Sequence, residues 1–383
     1  MIKKAFSIIL IFTLLFLTAC NEIEIVELNE RLIIEAIGID FEDGRYKVTI
    51  EGLDSFTAGS ESSSISAPSL TKCYLFEGET IGMAMNSISV ITGQIPLFSQ
   101  ARILILGLST AKEKLSEVLD FFRREYTTRT DILLAVAKNK AADVVSADFG
   151  QNVSSGNVLQ AAVQSYRHTG RSTYTPLYRF LNSVMGETDS AYCPLIDIKD
   201  NAYGKGKEVL LSGTVIFAKD GGAHIISPES TFALMLLNNK TENGDITVTT
   251  EKGTATIEII DSKTKTSVEI RDNKAVFHFM LMLRCDIPEF QSEHFKGLSK
   301  SDTEVIAENT AQKVTELICN VLNESLYENN LDIFSFGRRI NLEDHNFYNA
   351  LLNDSIPLMD VIECEIRTEA EIRRIGKIIL GVE

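Results

Sequence analysis

The sequence predicts an α+β fold of two to three domains, each a mixed or antiparallel sheet flanked by helices, behind a cleaved lipoprotein signal peptide. The length of 383 residues fits two to three domains of ordinary size. Segments of alternating apolar and polar residues predict strands, and segments with apolar residues every three or four positions predict helices. The two kinds of segment follow each other without a strict strand-helix-strand rhythm, which favours antiparallel or mixed sheets.

The chain begins with an apolar leader. Lys3 and Lys4 precede a mainly apolar run over residues 5–19. A helix needs about 20 apolar residues to cross ~30 Å of hydrocarbon, so this run is short for a membrane span. Its basic start and apolar centre are typical of a secretory signal peptide, with an uncleaved membrane anchor as the alternative.

The leader ends in a sequence that resembles the bacterial lipobox, namely Leu17, Thr18, Ala19 and Cys20. In a lipobox, small residues precede a cysteine that carries a diacylglycerol on its sulfur and becomes the first mature residue. We therefore predict a signal peptide over 1–19 and a lipidated Cys20 with an acidic tether over 20–30. No cofactor is expected beyond this covalent diacylglycerol, with or without an N-acyl chain. Two acyl chains, at roughly 0.8 kcal/mol per buried CH₂, hold a protein on a membrane where one chain would not.

The chain is acidic. It has 37 Lys and Arg against 53 Asp and Glu, a formal net charge of −16, and removal of the leader with its two lysines leaves −18. Nucleic-acid binding is disfavoured because neutralising phosphates requires clustered cations. An acidic body is also repelled by anionic lipid, so the predicted membrane attachment depends mainly on the lipid anchor and on partners.

Residues 31–200 form the predicted N-terminal domain. Apolar, β-branched segments at 31–40 and 46–50 flank Asp43-Gly44, a good hairpin signal. The other elements predicted in this domain are a serine-rich loop at 55–69, strands at 73–76, 101–106 and 132–137, and helices at 81–91, 158–166 and 176–185.

Residues 201–383 form the predicted C-terminal domain, with a further subdivision left open. The boundary is placed at 200–207, where the chain becomes polar and contains glycine. Apolar and polar residues then alternate along three segments, which predicts an antiparallel meander. Its strands are at 255–259, 266–270 and 275–285, with turns at Asp261-Ser262 and Asp272-Asn273. The other predicted elements are a strand at 209–217, helices at 229–237 and 302–327, and a half-buried strand at 362–373.

Two predicted helices start at sequences typical of a capping box. Thr110 with Glu113 begins a helix whose apolar residues share one face, and Ser301 with Glu304 begins the long helix near residue 302. In each pair, the hydroxyl and the carboxylate would accept hydrogen bonds from free backbone N–H groups. Each helix is expected to pack its one apolar face on a sheet.

The sequence contains no recognisable set of catalytic residues. It has no H-E-x-x-H zinc motif, and Ser154-Ser155-Gly156 lacks the leading glycine of a nucleophile elbow. The five histidines are dispersed, and the five cysteines after Cys20 include no C-x-x-C pair, which argues against a metal site and a disulfide framework. We therefore expect no catalytic residue, no metal and no evident small-molecule site.

Several short motifs occur in a characteristic order. They are the lipobox at Cys20, Glu27 to Asn29, Ile33 to Asp40, Gly78 to Ile81, Ala101 to Gly107, Leu115 to Phe121, Leu211 to Phe217 and Asp332 to Gly337. Together they resemble the Ger(x)C family, the lipoprotein C subunits of nutrient germinant receptors in endospore-forming bacteria. The resemblance spans nearly the whole mature chain.

The resemblance implies a non-enzymatic subunit on the outer leaflet of the inner spore membrane, needed for receptor assembly or function in spore germination. It implies two partners, an A subunit that carries a soluble domain and a transporter-like B subunit. It also implies a fold of mixed sheets flanked by helices.

Two other functional classes stay open. A solute-binding lipoprotein of an uptake system would have two α/β lobes with parallel strands, which the predicted antiparallel meander disfavours. A cell-surface hydrolase is disfavoured by the missing motifs, although a pair of catalytic carboxylates leaves little trace in a sequence.

Overall fold

The computed structural model describes residues 30–53, 71–125, 127–150, 153–186, 188–292, 297–376 and 378–379. The predicted signal peptide, the lipobox with Cys20 and the serine-rich loop at 55–69 lie outside the described residues. Within the described residues, the chain forms a nine-stranded sheet and a five-stranded sheet, with helices packed on both. The predicted α+β fold of mixed sheets flanked by helices is confirmed.

The first sheet combines parallel and antiparallel strands. Its strands are β1 (Arg31–Glu42), β2 (Arg45–Leu53), β3 (Thr71–Gly78), β4 (Ile95–Leu97), β5 (Ile103–Gly107), β6 (Leu133–Ala137), β7 (Ala191–Asp200), β8 (Lys207–Phe217) and β9 (Ala223–Ile226). In the order β3-β2-β1-β5-β6-β7-β8-β9, the central strands β1, β5, β6 and β7 run parallel and both ends of the sheet are antiparallel. The short β4 pairs with the start of β1. The predicted hairpin is confirmed, since Asp43 and Gly44 both have positive φ and connect β1 to β2.

Helices cover both faces of the first sheet. They are α1 (Ile81–Thr92), α2 (Leu108–Glu113), α3 (Leu115–Arg124), α4 (Ala141–Val145), α5 (Ser155–Gln164), α6 (Tyr166–Thr169) and α7 (Leu177–Met185). Successive residues of a strand point to opposite faces. In β5, Leu104 and Leu106 therefore join the core with α1, α3 and α7, whereas Ile103 and Ile105 join the core with α4 and α5. The continuous apolar sequence of β5 follows from this burial on both faces.

The predicted domain boundary lies at a turn within the first sheet. β7 and β8 pair antiparallel on either side of it, with Asp200 opposite Lys207. β8 and β9 thus extend the first sheet beyond residue 200, and the second sheet begins at Gly244. The division into 31–200 and 201–383 stays a prediction.

The second sheet has helices packed on one face. Its strands, in spatial order, are β10 (Gly244–Thr250), β11 (Gly253–Arg271), β12 (Lys274–Gln291), β13 (Ile362–Ile375) and β14 (Ile378–Ile379). The accompanying helices are α8 (Pro228–Leu237), α9 (Lys300–Leu322), α10 (Phe336–Glu343), α11 (His345–Asn353) and α12 (Leu358–Val361). All neighbouring strands are antiparallel except β12 and β13, which run parallel. In the part of the chain that the structure describes, no helix is both long and apolar enough to cross a bilayer.

The predicted meander is confirmed only in part. Asp272 and Asn273 both have positive φ and form the predicted turn between β11 and β12. The predicted turn at Asp261-Ser262 is wrong, because β11 is one continuous strand with an irregular register between Ile259 and Asp261. Such a bulge interrupts the alternation of apolar and polar residues along a strand. A turn interrupts it in the same way, so the sequence alone does not distinguish the two.

Both predicted capping boxes are wrong. Thr110 lies inside α2, and its hydroxyl accepts a hydrogen bond from the Phe41 N–H at 2.8 Å. The long helix α9 starts slightly earlier than predicted. There the Ser299 hydroxyl accepts from the Asp302 N–H at 3.3 Å, and the Asp302 carboxylate accepts from the Ser299 N–H at 2.9 Å. Ser299 and Asp302 therefore form the capping box. They show the same pattern as the predicted pair, a serine with an acid three residues later, two positions earlier in the chain.

Candidate functional site at the joint between the sheets

The site residues predicted from the sequence, Leu17, Thr18, Ala19 and Cys20, lie outside the described residues. Among the residues that are described, no group of three or more His, Cys, Asp or Glu is placed to hold a metal ion. A buried polar cluster occurs instead at residues 332–337, which we call the joint loop because it lies where the two sheets meet.

The joint loop is organised by one buried carboxylate. Asp332 is 2% exposed. Its Oδ1 accepts hydrogen bonds from the Phe334 N–H at 3.2 Å and the Phe336 N–H at 2.8 Å, and its Oδ2 accepts from the Gly337 N–H at 2.9 Å. The first N–H groups of a helix have no partner within the helix. Since the residue before α10 provides no side-chain cap, Asp332 serves as the cap of that helix.

Asp332 also connects the joint loop to the first sheet. The Ser190 N–H donates to the Asp332 carbonyl oxygen at 2.7 Å, and the Asp332 N–H donates to the Ser190 hydroxyl at 3.1 Å. Ser190 is buried and directly precedes β7. This pair therefore links the start of β7 in the first sheet to the chain that follows α9 on the second.

The joint loop packs closely on β12 of the second sheet and on the segment that leads into β7 of the first. Phe336 is fully buried, and its ring centroid lies 4.6 Å from that of Phe277 and 6.3 Å from that of Phe279 in β12. At Gly337, an added Cβ would lie 2.6 Å from Cγ2 of Thr188, which is shorter than any normal carbon contact. Glycine is therefore needed for α10 to approach Thr188 this closely.

A polar cleft opens over the joint loop. Its volume is about 460 Å³, and its lining includes Arg179, Asp189, Tyr192, Lys240, Asp332 and Arg338. A depression of about 420 Å³ continues from it and shares Tyr174, Arg179 and Lys240 with it. The cleft thus lies between α7, which packs on the first sheet, and α8 and α10, which pack on the second.

Cations outnumber acids in the lining of the cleft by three to two. Arg179, Lys240 and Arg338 are present with two acids, one of which is the buried Asp332. The Lys240 amino group donates a hydrogen bond to the Tyr192 hydroxyl and lies 5.0 Å from the Tyr192 ring centroid. A positive cleft on a chain of net charge −16 is suited to an anionic or polar group.

Burial sets the ionisation of Asp332. A low-dielectric interior disfavours the charged carboxylate, which raises the pKa of Asp332 from 3.8 to about 6. The hydrogen bonds from the backbone of the joint loop act in the opposite direction, and repulsion from Asp189 adds to the increase. Asp332 therefore changes its charge in mildly acidic solution.

The cleft can bind a polar group, but its residues do not form a catalytic set. Among the described residues that line it there is no Cys or His to act as a nucleophile or base. The Asp332 carboxylate already accepts three backbone hydrogen bonds. The remaining polar groups are three cations, Asp189, and hydroxyl and amide side chains, which recognise an acidic or polar surface through charge and hydrogen bonds.

The sequence indicated this site only in part. Residues 332–337 carried part of the family resemblance, but nothing in their pattern assigned a role to Asp332. An acidic residue shortly before an apolar helix is a weak sign of a cap. Ser190 lies 142 positions away, and no local pattern identifies such a partner.

Two protein-family models match this chain. The model described as "Spore germination protein N-terminal domain" matches residues 24–198, and the model described as "Spore germination B3/ GerAC like, C-terminal" matches residues 212–376. The chain belongs to the Ger(x)C family of spore germination proteins. The family predicted from the sequence motifs is confirmed.

Two spore germination proteins and one solved structure are similar to most of this chain. Spore germination protein B3 of Bacillus subtilis (strain 168) is 23% identical over 349 residues, which is 90% of this chain and 90% of that protein. The putative spore germination protein YfkR of the same strain is 24% identical over 267 residues, 66% of this chain and 64% of that protein. The crystal structure of the GerBC protein covers 88% of this chain and 96% of its own, with a TM-score of 0.55 at 17% identity. That likeness shows a shared fold.

Proposed function

We propose that this Ger(x)C protein is the lipid-anchored C subunit of a spore nutrient germinant receptor and that it acts without catalysis. The observation that carries the proposal is the match of both halves of the chain to spore germination family models. The relative named spore germination protein B3 aligns over 90% of this chain, so the similarity is not confined to one domain. In this role the protein supports assembly or function of the receptor during germination.

Lipid attachment at Cys20 is the proposed means of membrane association. The lipobox-like sequence at 17–20 follows a basic, apolar leader, and the matched N-terminal domain starts at residue 24, close behind the cysteine. Two acyl chains on Cys20 are sufficient for stable attachment. The proposed location is the outer leaflet of the inner spore membrane.

The A and B receptor subunits are the proposed partners. A subunit without chemistry of its own acts by holding or orienting others. The cleft supports such a role, because Arg179, Lys240 and Arg338 provide cations for an acidic or polar segment of a partner. A solute-binding lipoprotein of an uptake system is less well supported, since the second sheet is antiparallel except between β12 and β13.

The anchor is tested by Cys20→Ala in sporulating cells. We expect the variant to leave the spore membrane fraction and the spores to germinate poorly with nutrients, while germination triggered without nutrients stays normal. Cys319→Ala is the matched control, because Cys319 is an exposed thiol on α9. Full membrane retention of Cys20→Ala together with a normal nutrient response would contradict the proposal.

The partners are tested by purifying the tagged lipidated protein from spore membranes and identifying the proteins that accompany it. We expect A and B receptor subunits. Arg338→Glu should lower their recovery, because it reverses a cation of the cleft, whereas Arg373→Glu on the exposed end of β13 should not. Recovery of an uptake permease instead of receptor subunits would support the alternative.

A further inference from the structure

An apolar surface patch lies on α1. Met83, Val90 and Ile91 on the outward face of the helix are 56%, 85% and 64% exposed, and the neighbouring Ile95 of β4 is 46% exposed. We call these four residues the α1 patch. The opposite face of α1 is buried through Ile81, Ala84, Met85 and Ile88. A helix that is apolar on both faces is typical of a fully buried position, yet none of the residues that the structure describes covers the α1 patch.

The α1 patch lies beside the point where the tether enters the first sheet. Ile95 pairs directly with Arg31, the first residue of β1. α1 ends at Thr92, and Gly93 with φ 71° turns the chain into β4, which keeps the last turn of α1 next to that pair. Cys20 precedes Arg31 by eleven residues, a length of at most about 40 Å when fully extended. An anchor at Cys20 therefore keeps the start of β1, with the α1 patch beside it, within about 40 Å of the bilayer surface.

The chain segment that carries the α1 patch has no charged residue. Residues 80–101 form the longest stretch of the chain without Asp, Glu, Lys or Arg, in a protein of net charge −16. A charged surface loses hydration when it touches a bilayer, and an acidic surface is also repelled by anionic lipids. Residues 80–101 carry no charge, so their contact with a bilayer neither removes water from a charged group nor meets repulsion from anionic lipids.

We propose that the α1 patch inserts into the interfacial region of the bilayer that holds the acyl chains of Cys20. This inference rests on the proposed lipid anchor and adds a second point of membrane contact. Apolar side chains on one helix face enter the boundary between headgroups and acyl chains to a shallow depth. With the tether and α1 both at the membrane, the body of the protein is held in one orientation.

The test uses the absence of tryptophan from the chain. Val90→Trp gives the lipidated mature protein a single fluorescent reporter in the α1 patch. Leu342→Trp is the matched control, since Leu342 is an apolar residue of α10 that is 79% exposed. Each protein is reconstituted in vesicles of equal parts phosphatidylglycerol and phosphatidylethanolamine, with and without brominated acyl chains.

We expect the emission of Val90→Trp to shift to shorter wavelength in vesicles and to be quenched by the brominated chains. Leu342→Trp should keep its emission and its quenching by aqueous iodide. Adding Ile91→Glu to Val90→Trp should abolish the shift, because it places a charge in the α1 patch, and should leave flotation with the vesicles unchanged.

Flotation separates the two proposals. Protein that floats while Val90→Trp stays accessible to iodide overturns the patch insertion and leaves the anchor intact. Protein that does not float contradicts the anchor, and the insertion with it. Shielding of Val90→Trp that appears only when A and B subunits are present assigns the patch to a protein partner and overturns insertion into lipid.

Discussion

Ser190 and Asp332 lie 142 positions apart and exchange two backbone-anchored hydrogen bonds at the joint between the sheets. One runs from the Ser190 N–H to the Asp332 carbonyl oxygen at 2.7 Å, and the other from the Asp332 N–H to the Ser190 hydroxyl at 3.1 Å. Both residues are buried, so the loss of either bond would leave a polar group without water to replace it. The placement of the second sheet relative to the first therefore depends on the joint loop.

Asp332→Ala is expected to destabilise the protein strongly. The substitution removes the acceptor of the Phe334, Phe336 and Gly337 N–H groups, and each buried donor left unsatisfied costs about 1–3 kcal/mol. We expect the free energy of unfolding to fall by about 3 kcal/mol or more. Urea unfolding of the mature chain carrying Cys20→Ala, with and without Asp332→Ala, measures the difference.

Asp354→Ala is the control for that substitution. Asp354 is exposed and follows α11, so its removal should change the free energy of unfolding by no more than about 0.5 kcal/mol. If Asp332→Ala unfolded at the same urea concentration as this control, Asp332 would not be the cap of α10.

The raised pKa of Asp332 predicts a pH dependence with a definite sign. Burial raises this pKa from 3.8 to about 6, so the folded state binds the proton more tightly than the unfolded state does. The resulting stabilisation is complete below pH 3.8 and is lost as the pH rises through about 6, a change of about 3 kcal/mol. Asp332→Asn has no titrating group at this position. The stability of the wild type relative to Asp332→Asn should therefore fall between about pH 4 and pH 7.

Urea unfolding of both proteins across this pH range measures that difference. Groups that do not interact with Asp332 cancel in the comparison. Asp302, for example, has its pKa lowered to about 2 by hydrogen bonds from Lys252 and Ser299, and it titrates equally in both proteins. A difference between wild type and Asp332→Asn that did not vary with pH would show that Asp332 titrates alike in the folded and unfolded states.

Local signals in the sequence predicted two tight turns correctly. Asp43-Gly44 and Asp272-Asn273 form the expected turns because these residue types tolerate positive φ. The capping pattern of a serine followed by an acid occurs at both Ser299 and Ser301, and only the geometry shows which serine begins α9. Which of the two serines caps the helix depends on where α9 packs against its sheet. The local sequence does not contain that information.

Long-range contacts account for what the sequence did not reveal. The register of β11 continues through the bulge near Asp261 because β12 pairs with it along its whole length. The joint loop contacts Thr188 and Ser190 across the molecule, so no periodicity within 332–337 predicts it. The proposed lipid site at Cys20 rests on a linear motif, and for that kind of site the sequence is the natural source.

Gly337→Ala is expected to destabilise the joint. Its Cβ would lie 2.6 Å from Cγ2 and 2.8 Å from Cβ of Thr188, so one of the two elements must move. Forced overpacking of this kind costs typically about 1–3 kcal/mol. Urea unfolding measures the loss, and adding Thr188→Gly should recover part of it because it removes both clashing atoms.

Gly204→Ala is the matched control, since the nearest atom to its added Cβ is 3.9 Å away. We expect its free energy of unfolding to stay within about 0.5 kcal/mol of the wild type. Equal effects of Gly337→Ala and Gly204→Ala would mean that the joint accommodates the extra methyl group, and the close approach of α10 to Thr188 would then have no energetic importance.

Glu51→Gln tests a second buried carboxylate, which holds the start of α5 on β2. Glu51 is 2% exposed. Its Oε1 accepts from the Ser155 N–H at 2.8 Å, and its Oε2 accepts from the Gly156 N–H at 2.9 Å and from the hydroxyls of Ser154 and Ser155 at 2.9 and 2.8 Å. A glutamine NH₂ group cannot accept these bonds, so at least one backbone donor is left unsatisfied, at a cost of about 1–3 kcal/mol.

The effect of Glu51→Gln should be local as well as global. Hydrogen exchange should become faster at the amides of α5, because one of its first N–H groups loses its acceptor, and urea unfolding should report the lower stability. Glu77→Gln is the control, since Glu77 is exposed on β3 opposite Lys47. Unchanged exchange in α5 would show that Ser154 and its neighbours hold the helix without Glu51. Faster exchange confined to α5 would show that Glu51, through its bonds to Ser155 and Gly156, fixes this helix to β2.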